Sequence, residues 1–563
     1  MGKLAPYSGT FTKIELAHLL RRTLFGLTKS NLNYFKGKTL AQTVTELLNV
    51  PTAAPAPPLK TYFTRSNNTN IDNIDVDVPF GKTWVNTKYP ATANPNPNGS
   101  RRISYKRWWT GLQVQQVTNI QEKMVLFWHN HLATEDSVTE QAFLAYYTNV
   151  LLRKHAMGNF KQMVRDITFD PGMLRYLNGY LNTKAAPDEN YGRELQELFC
   201  IGKGPGSQYT EDDVKAAARI LTGWQIVGNE TINGVNNVIV PYSKYTLSRH
   251  DTGEKKFSAF YNNTIIKGVA APKAGEERLE AEKEIDAMLN MIFNTQEVAK
   301  YICRRLWNYF VYYEINDDIE TNVIEPLADI FRTNNYEIKP VLTALFTCDY
   351  FYKSEHMGCM IKSPADFTVG MARQFKWPVP TDPAKFEAQY LAYDSIRNFT
   401  LRQGMDIGDP PNVAGWPAYY QTPSFHEMWV DTSSYPERKS TYESLCINGL
   451  TTSANTFTPE SKSIPIKINF VDFVKEFDNP SDPNALINEA VELMFGVSVS
   501  QSIKDSLKTN YLLLGQASDY YWTDAYNTYI ANPSTTDPEG KRVPTMLRDL
   551  FVYMQSAAEY HLC

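Results

Sequence analysis

The chain has 563 residues, 43% apolar and 21% charged, an ordinary globular balance that excludes disorder as its main state. Its formal net charge of -5 gives no electrostatic reason to meet a nucleic-acid backbone, where Lys and Arg displace counterions, so nucleic acid is not an expected partner. No apolar stretch approaches the length of a bilayer crossing, so no membrane span is expected. A first helix is announced by the capping pair Thr12 and Glu15, followed by Ile14, Leu16, Leu19 and Leu20 at helical spacing. From 51 to 107 the pattern dissolves into Pro, Asn and Thr and predicts a long irregular loop. Helical periodicity returns over 108–132, 140–152 and 160–181. Residues 231–240 alternate around Asn233-Gly234, a dipeptide suited to a type I′ hairpin. Helices resume at 276 with the charged run EERLEAEKEIDAML, expected to be exposed, and then a cap at Asn294 and Glu297 with an aromatic helix over 298–312.

The expected fold is mainly α, a large helical bundle-like domain with a small β-hairpin insertion. Its portions are an N-terminal helical core over 1–226, a β-rich insertion over 227–275, a second helical portion over 276–465 with a Pro/Gly loop at 404–420, and a C-terminal helical portion over 466–563. Six cysteines (Cys200, Cys303, Cys348, Cys359, Cys446, Cys563) lack the close spacing of a zinc ribbon or the density of a disulfide scaffold and read as mostly buried free thiols. The opening MGKLAPYSGTFTKIELAHLL shows no secretory signal, which leaves a cytoplasmic location, a trimmed start, or export with a partner to the periplasm or cell surface.

Three constellations carry chemistry. PDENYGRELQELFCIG, over 187–202, reads as a helix stopped by glycine, with Tyr191, Leu195, Leu198 and Ile201 on its apolar face. Glu194 falls inside that arc and Glu197 at its border, so the buried carboxylate must be neutralised, paired or metal-bound. Arg305, at the edge of a later apolar stripe, is its expected ion partner if the role is structural. In EKMVLFWHNHLATE, His129 and His131 lie about 200° apart on a regular helix and share a ligand only if the helix ends near Trp128. In RHDTGEKKF, His250, Asp251 and Lys255 place a base, a carboxylate and a cation within a few residues. Their structural alternatives are histidines at a helix C-terminus and an Asx-type turn. No Walker loop or dinucleotide fingerprint is present, so no nucleotide cofactor is expected.

The strings AHLLRRTLFG, EKMVLFWHNHLAT, DPGMLRYLNGYLN, YTEDDVKAAARILTGW, HDTGEKKF, IKSPADF and PPNVAGWP follow one another in an order that resembles the bacterial family catalogued as domain of unknown function 1800. Gly192 and Phe199 depart from the alanine and histidine that the resemblance implies there. It also implies a sulfatase-like partner, of the family called domain of unknown function 1501. Two readings of function follow. In the first, the chain is a metal-assisted hydrolase of a polymer or sugar conjugate, with His129, His131 and either His250 or Asp251 holding zinc, iron or manganese. Glu194 or Glu197 is then the base, with Lys255 and Arg305 as supporting cations. In the second it is a non-catalytic assembly or cell-surface component.

Overall fold

The capping pair at the start forms as the sequence predicts. In the computed structural model, which describes residues 4–63, 74–90, 96–228, 240–269, 272–451 and 465–563, Thr12 precedes α1 (Lys13–Thr23) and accepts from the Ile14 amide. Glu15 reaches back to the Thr12 amide at 2.8 Å. Leu16, Leu19 and Leu20 enter the core, whereas Ile14, expected in the same stripe, faces outward. Two short helices follow, α2 (Lys29–Phe35) and α3 (Leu40–Leu47), the second with its own capping pair of Thr39 and Gln42.

The expected irregular loop of 51–107 ends earlier than its composition suggests, because α4 runs over Asn98–Val114. Its first turns bury Arg101, Ser104 and Lys106, polar residues that hide the apolar period. They are tolerated because Arg101 Nε meets Asp75 at 2.7 Å and Lys106 meets Asp406 at 2.7 Å. Next come α5 (Gln121–His131) and α6 (Ala142–His155), which pack together.

Helix α7 (Asn190–Glu194) opens into a π-turn, Leu195–Cys200. The wider turn breaks the 100° projection used on the sequence. Gln196, Phe199 and Cys200 become fully buried and Leu198 turns partly outward, where regular spacing had Leu198 inside. Gly192 suits its neighbours, since a Cβ there would lie 3.2 Å from the Ala218 amide of α8 (Glu211–Ile220).

Three two-stranded antiparallel sheets are formed among the described residues. In the first, β1 (Trp224–Val227) pairs with β2 (Tyr242–Tyr245), Trp224 opposite Tyr245. These strands flank the alternation predicted as a hairpin, of which 231–239 lie outside the described residues. Beyond them β3 (Lys255–Lys256) pairs with β4 (Ile265–Ile266).

The charged run forms α9 (Glu277–Phe293), but it is not wholly exposed: Ala281, Ile285 and Met288 bury one side and carry Glu284 in with them. The cap of α10 (Gln296–Phe310) is Thr295 rather than Asn294, which ends the preceding helix. Helix α11 (Pro364–Gln374) is capped by Ser363, and α12 (Phe386–Arg402) lies against α4 so closely that a Cβ on Gly111 would sit 2.6 Å from the Tyr393 ring. The third sheet joins β5 (Leu450–Thr451) to β6 (Pro465–Ile466), and α13 (Val543–Ser556) lies near the end of the chain. One hydrophobic cluster runs from Leu16 to Tyr560. The mainly α architecture is therefore the one expected. All six cysteines are free, and no described helix is long and apolar enough to cross a membrane.

Candidate active site

Helix α5 does not unwind at Trp128 but continues to His131, so His129, Asn130 and His131 leave it in three directions. His129 lies between the rings of Trp109 and Trp416, with centroids at 5.0 and 6.3 Å. Its Nδ1 is buried and has no hydrogen-bond partner. Asn130 Oδ1 accepts from the Trp416 amide at 2.9 Å. His131 donates through Nε2 to the Phe199 carbonyl at 2.9 Å, which ties α5 to the π-turn. Burial pushes His129 down to about 4, with Asp409 opposing and Lys106 reinforcing the shift, and burial with Arg305 pushes His131 down to about 3. Both rings are neutral at pH 7.

A charged belt lies within electrostatic reach of His129. Lys106 of α4 contacts Asp406 at 2.7 Å, Asp409 at 3.2 Å and Asp136 at 3.7 Å. Asp409 also accepts from the Ser137 amide and hydroxyl. Burial pushes Asp409 up, and Lys106 with Ser137 more than offsets this, leaving it below the usual carboxylate value. Asp136 moves the other way, because burial outweighs Lys106 and Arg102, and its Oδ1 has no partner.

Glu194 stands at the start of the π-turn with Oε2 buried and unpartnered. Burial first, and then the charge of Glu197, raise its carboxyl above the ordinary value of 4.5, against Lys203 and Arg193. Tyr176 lies within electrostatic reach of Glu194 and Asp409, and its hydroxyl donates to Glu135 Oε1 at 2.8 Å. The pairing of Glu194 with Arg305 expected for a structural role is not made: Arg305 donates to the Tyr419 carbonyl at 3.2 Å. Glu197 is held by Lys203 at 2.5 Å.

The residues from RHDTGEKKF build a second, separate arrangement. His250 Nε2 lies 3.0 Å from Glu284 Oε2 and its Nδ1 2.9 Å from the Thr222 carbonyl, while Lys255 bonds the other Glu284 oxygen and the Asp251 carbonyl. Burial lowers Lys255 against the pull of Glu284. Asp251 is paired with Arg219 at 2.7 Å, which with burial opposing holds it down at about 2. His129 and His131 thus share no contact with each other or with the neighbouring His250 and Asp251, whose side chains pair with Glu284 and Arg219. Among the described residues no group of three or more His, Cys, Asp or Glu is placed to hold a metal ion.

Of the motif strings, EKMVLFWHNHLAT, PDENYGRELQELFCIG and PPNVAGWP are joined at the end of α5 through His131 with Phe199 and Asn130 with Trp416. A family model described as "Protein of unknown function (DUF1800)" matches residues 18–534. The chain belongs to this family. No curated protein and no solved structure matched it. Membership in DUF1800 supplies no reaction, so the chemistry rests on the geometry.

Sequence reasoning missed Glu135, Tyr176, Lys106, Asp409 and Glu284. Glu135 ends the string EKMVLFWHNHLATE, Tyr176 lies within DPGMLRYLNGYLN and Asp409 directly precedes PPNVAGWP, so three carried a signal. Glu284 was legible only as a carboxylate on the Ala281, Ile285 and Met288 stripe.

Proposed function

We propose that this DUF1800 member is a hydrolase of glycosidic or ester bonds in a polymer or sugar conjugate, with Glu194 as its general acid. One observation carries the reading. Glu194 is raised towards its protonated form by burial and by Glu197, yet Oε2 has no partner, and Tyr176, within electrostatic reach of it, is already committed to Glu135. A carboxyl buried for structure alone finds a partner, and an orphaned buried oxygen is where a substrate oxygen can dock.

In the proposed reaction protonated Glu194 gives its proton to the leaving oxygen while water attacks the other side of the bond. Glu135, bonded to Tyr176 through Oε1, takes the proton released by the water through its second oxygen. Proton exchange with solvent then restores Glu194. A proton-donating carboxyl raised by burial, working with a second carboxyl, is the pattern of acid–base hydrolysis. The expected base Glu197 is set aside because Lys203 holds it, and the scattered histidines supply no step.

The test is a panel of chromogenic glycosides and esters, with reducing-end release from polysaccharides, run on wild type and Glu194→Gln. The reading requires hydrolysis by wild type and a loss of at least about a hundredfold in the variant at an unchanged Tm. An active variant, or a wild type inert across the panel, would overturn it.

A further inference from the structure

A cavity of about 470 Å³ opens between α1, α2 and the start of α3, and none of the residues assigned to hydrolysis lines it. Its floor is apolar, made by Leu16, Leu32 and Phe35, with Leu40 partly exposed at its lip. Its rim holds four lysines, Lys13, Lys29, Lys36 and Lys38, against one carboxylate, Asp478.

Three of these lysines are neutralised from outside or across the mouth. Lys29 is buried and grips Asp478 at 2.7 Å together with Glu489; Lys13 pairs with Glu492; Lys38 pairs with Glu46 at 2.6 Å. Lys36 is exposed, and among the described residues no carboxylate lies within ion-pairing distance of it. The cavity thus presents an apolar floor large enough for a small ligand and one uncommitted positive charge at its mouth. A cationic guest would meet the uncommitted charge of Lys36, and a dianion would find one open partner. A neutral chain would gain burial without the charge.

We propose that this cavity binds a straight-chain organic carboxylate, its chain on Leu16, Leu32 and Phe35 and its carboxylate at Lys36. Each methylene buried on that floor contributes ~0.8 kcal/mol, a factor of about four in affinity.

Calorimetric titration of the full chain with decanoate, octanoate, decanol and decylamine tests this. Decanoate is expected to saturate one site, octanoate to bind about fourfold weaker per methylene removed, and decylamine not to bind. Lys36→Gln should weaken decanoate by up to about fivefold while leaving decanol unchanged. Leu40→Trp, a bulky change at a partly buried lip, should block both, and Glu194→Gln should alter neither. No saturable binding, equal binding of decylamine, or the same affinity for octanoate and decanoate would overturn the proposal.

Discussion

Asn130 Oδ1 accepts from the Trp416 amide at 2.9 Å, and the residue before Trp416, Gly415, sits at φ +88° so near that a Cβ would lie 2.3 Å from that same oxygen. The Pro/Gly loop of 404–420 is docked on the end of α5 by this contact, and only glycine fits both the backbone angle and the space. Gly415→Ala is expected to cost ~1–2 kcal/mol from the left-handed backbone alone, with the clash adding to it. Asn130→Ala should cost ~1–3 kcal/mol by orphaning the amide. Urea unfolding of both variants measures this, and a wild-type midpoint for Gly415→Ala would show that the loop is not docked as described.

The buried pair of Lys255 and Glu284 is a structural lock with His250 on its flank. Glu284→Gln leaves the ammonium of Lys255 without its counter-charge and should cost ~3–5 kcal/mol. The double change Lys255→Met with Glu284→Leu should recover most of that loss, because no isolated charge remains. A double variant as unstable as Glu284→Gln would mean that packing, not charge, dominates there.

His129 and His131 carry a pH signature. Their folded values of about 4 and about 3 lie below the ordinary imidazole value of 6.5, so on acidification the unfolded chain takes up protons before the fold does. Stability is thus full above pH 6.5, falls as pH drops through that value, and levels off near 4 and 3. His129→Gln and His131→Gln should each reduce the slope of stability against pH in this window by about one proton, although both lose packing at pH 7.5. Denaturant unfolding at a series of pH values checks the slope, and an unchanged slope would contradict the burial argument.

Elements whose apolar residues keep a regular period were legible in the sequence. The capped α1 and the glycine stop at Gly202, with φ +83°, are examples. The start of α4 was not, because Arg101 and Lys106 are buried only by virtue of Asp75 and Asp406, partners 26 and 300 residues away in the chain. Spacing along one helix cannot display such a partner. The π-turn was missed for a related reason: projection at a fixed angle assumes the regular turn that Leu195–Cys200 abandons. Of the site, Glu194 was visible as a carboxylate on an apolar face. Tyr176 and Glu135 acquire meaning only when the fold places them together.

The direction of the Glu194 shift has its own consequence for stability. Its folded value is raised, so the fold favours the protonated form, and ionisation above the ordinary value of 4.5 works against folding. Glu194→Gln should therefore stabilise the protein near pH 7–8, with the gain vanishing below about pH 4. A variant less stable than wild type at pH 8 would indicate that the carboxylate is paired.

The most direct measurement is the ionisation of Glu194 itself, read by infrared difference spectroscopy of carboxyl-labelled glutamate in wild type against Glu194→Gln. The expected result is a protonated carboxyl band, absent from the variant, that disappears with a midpoint above 4.5. A Glu194 carboxylate already ionised at that pH would contradict its role as the acid and leave the end of α5 a structural junction.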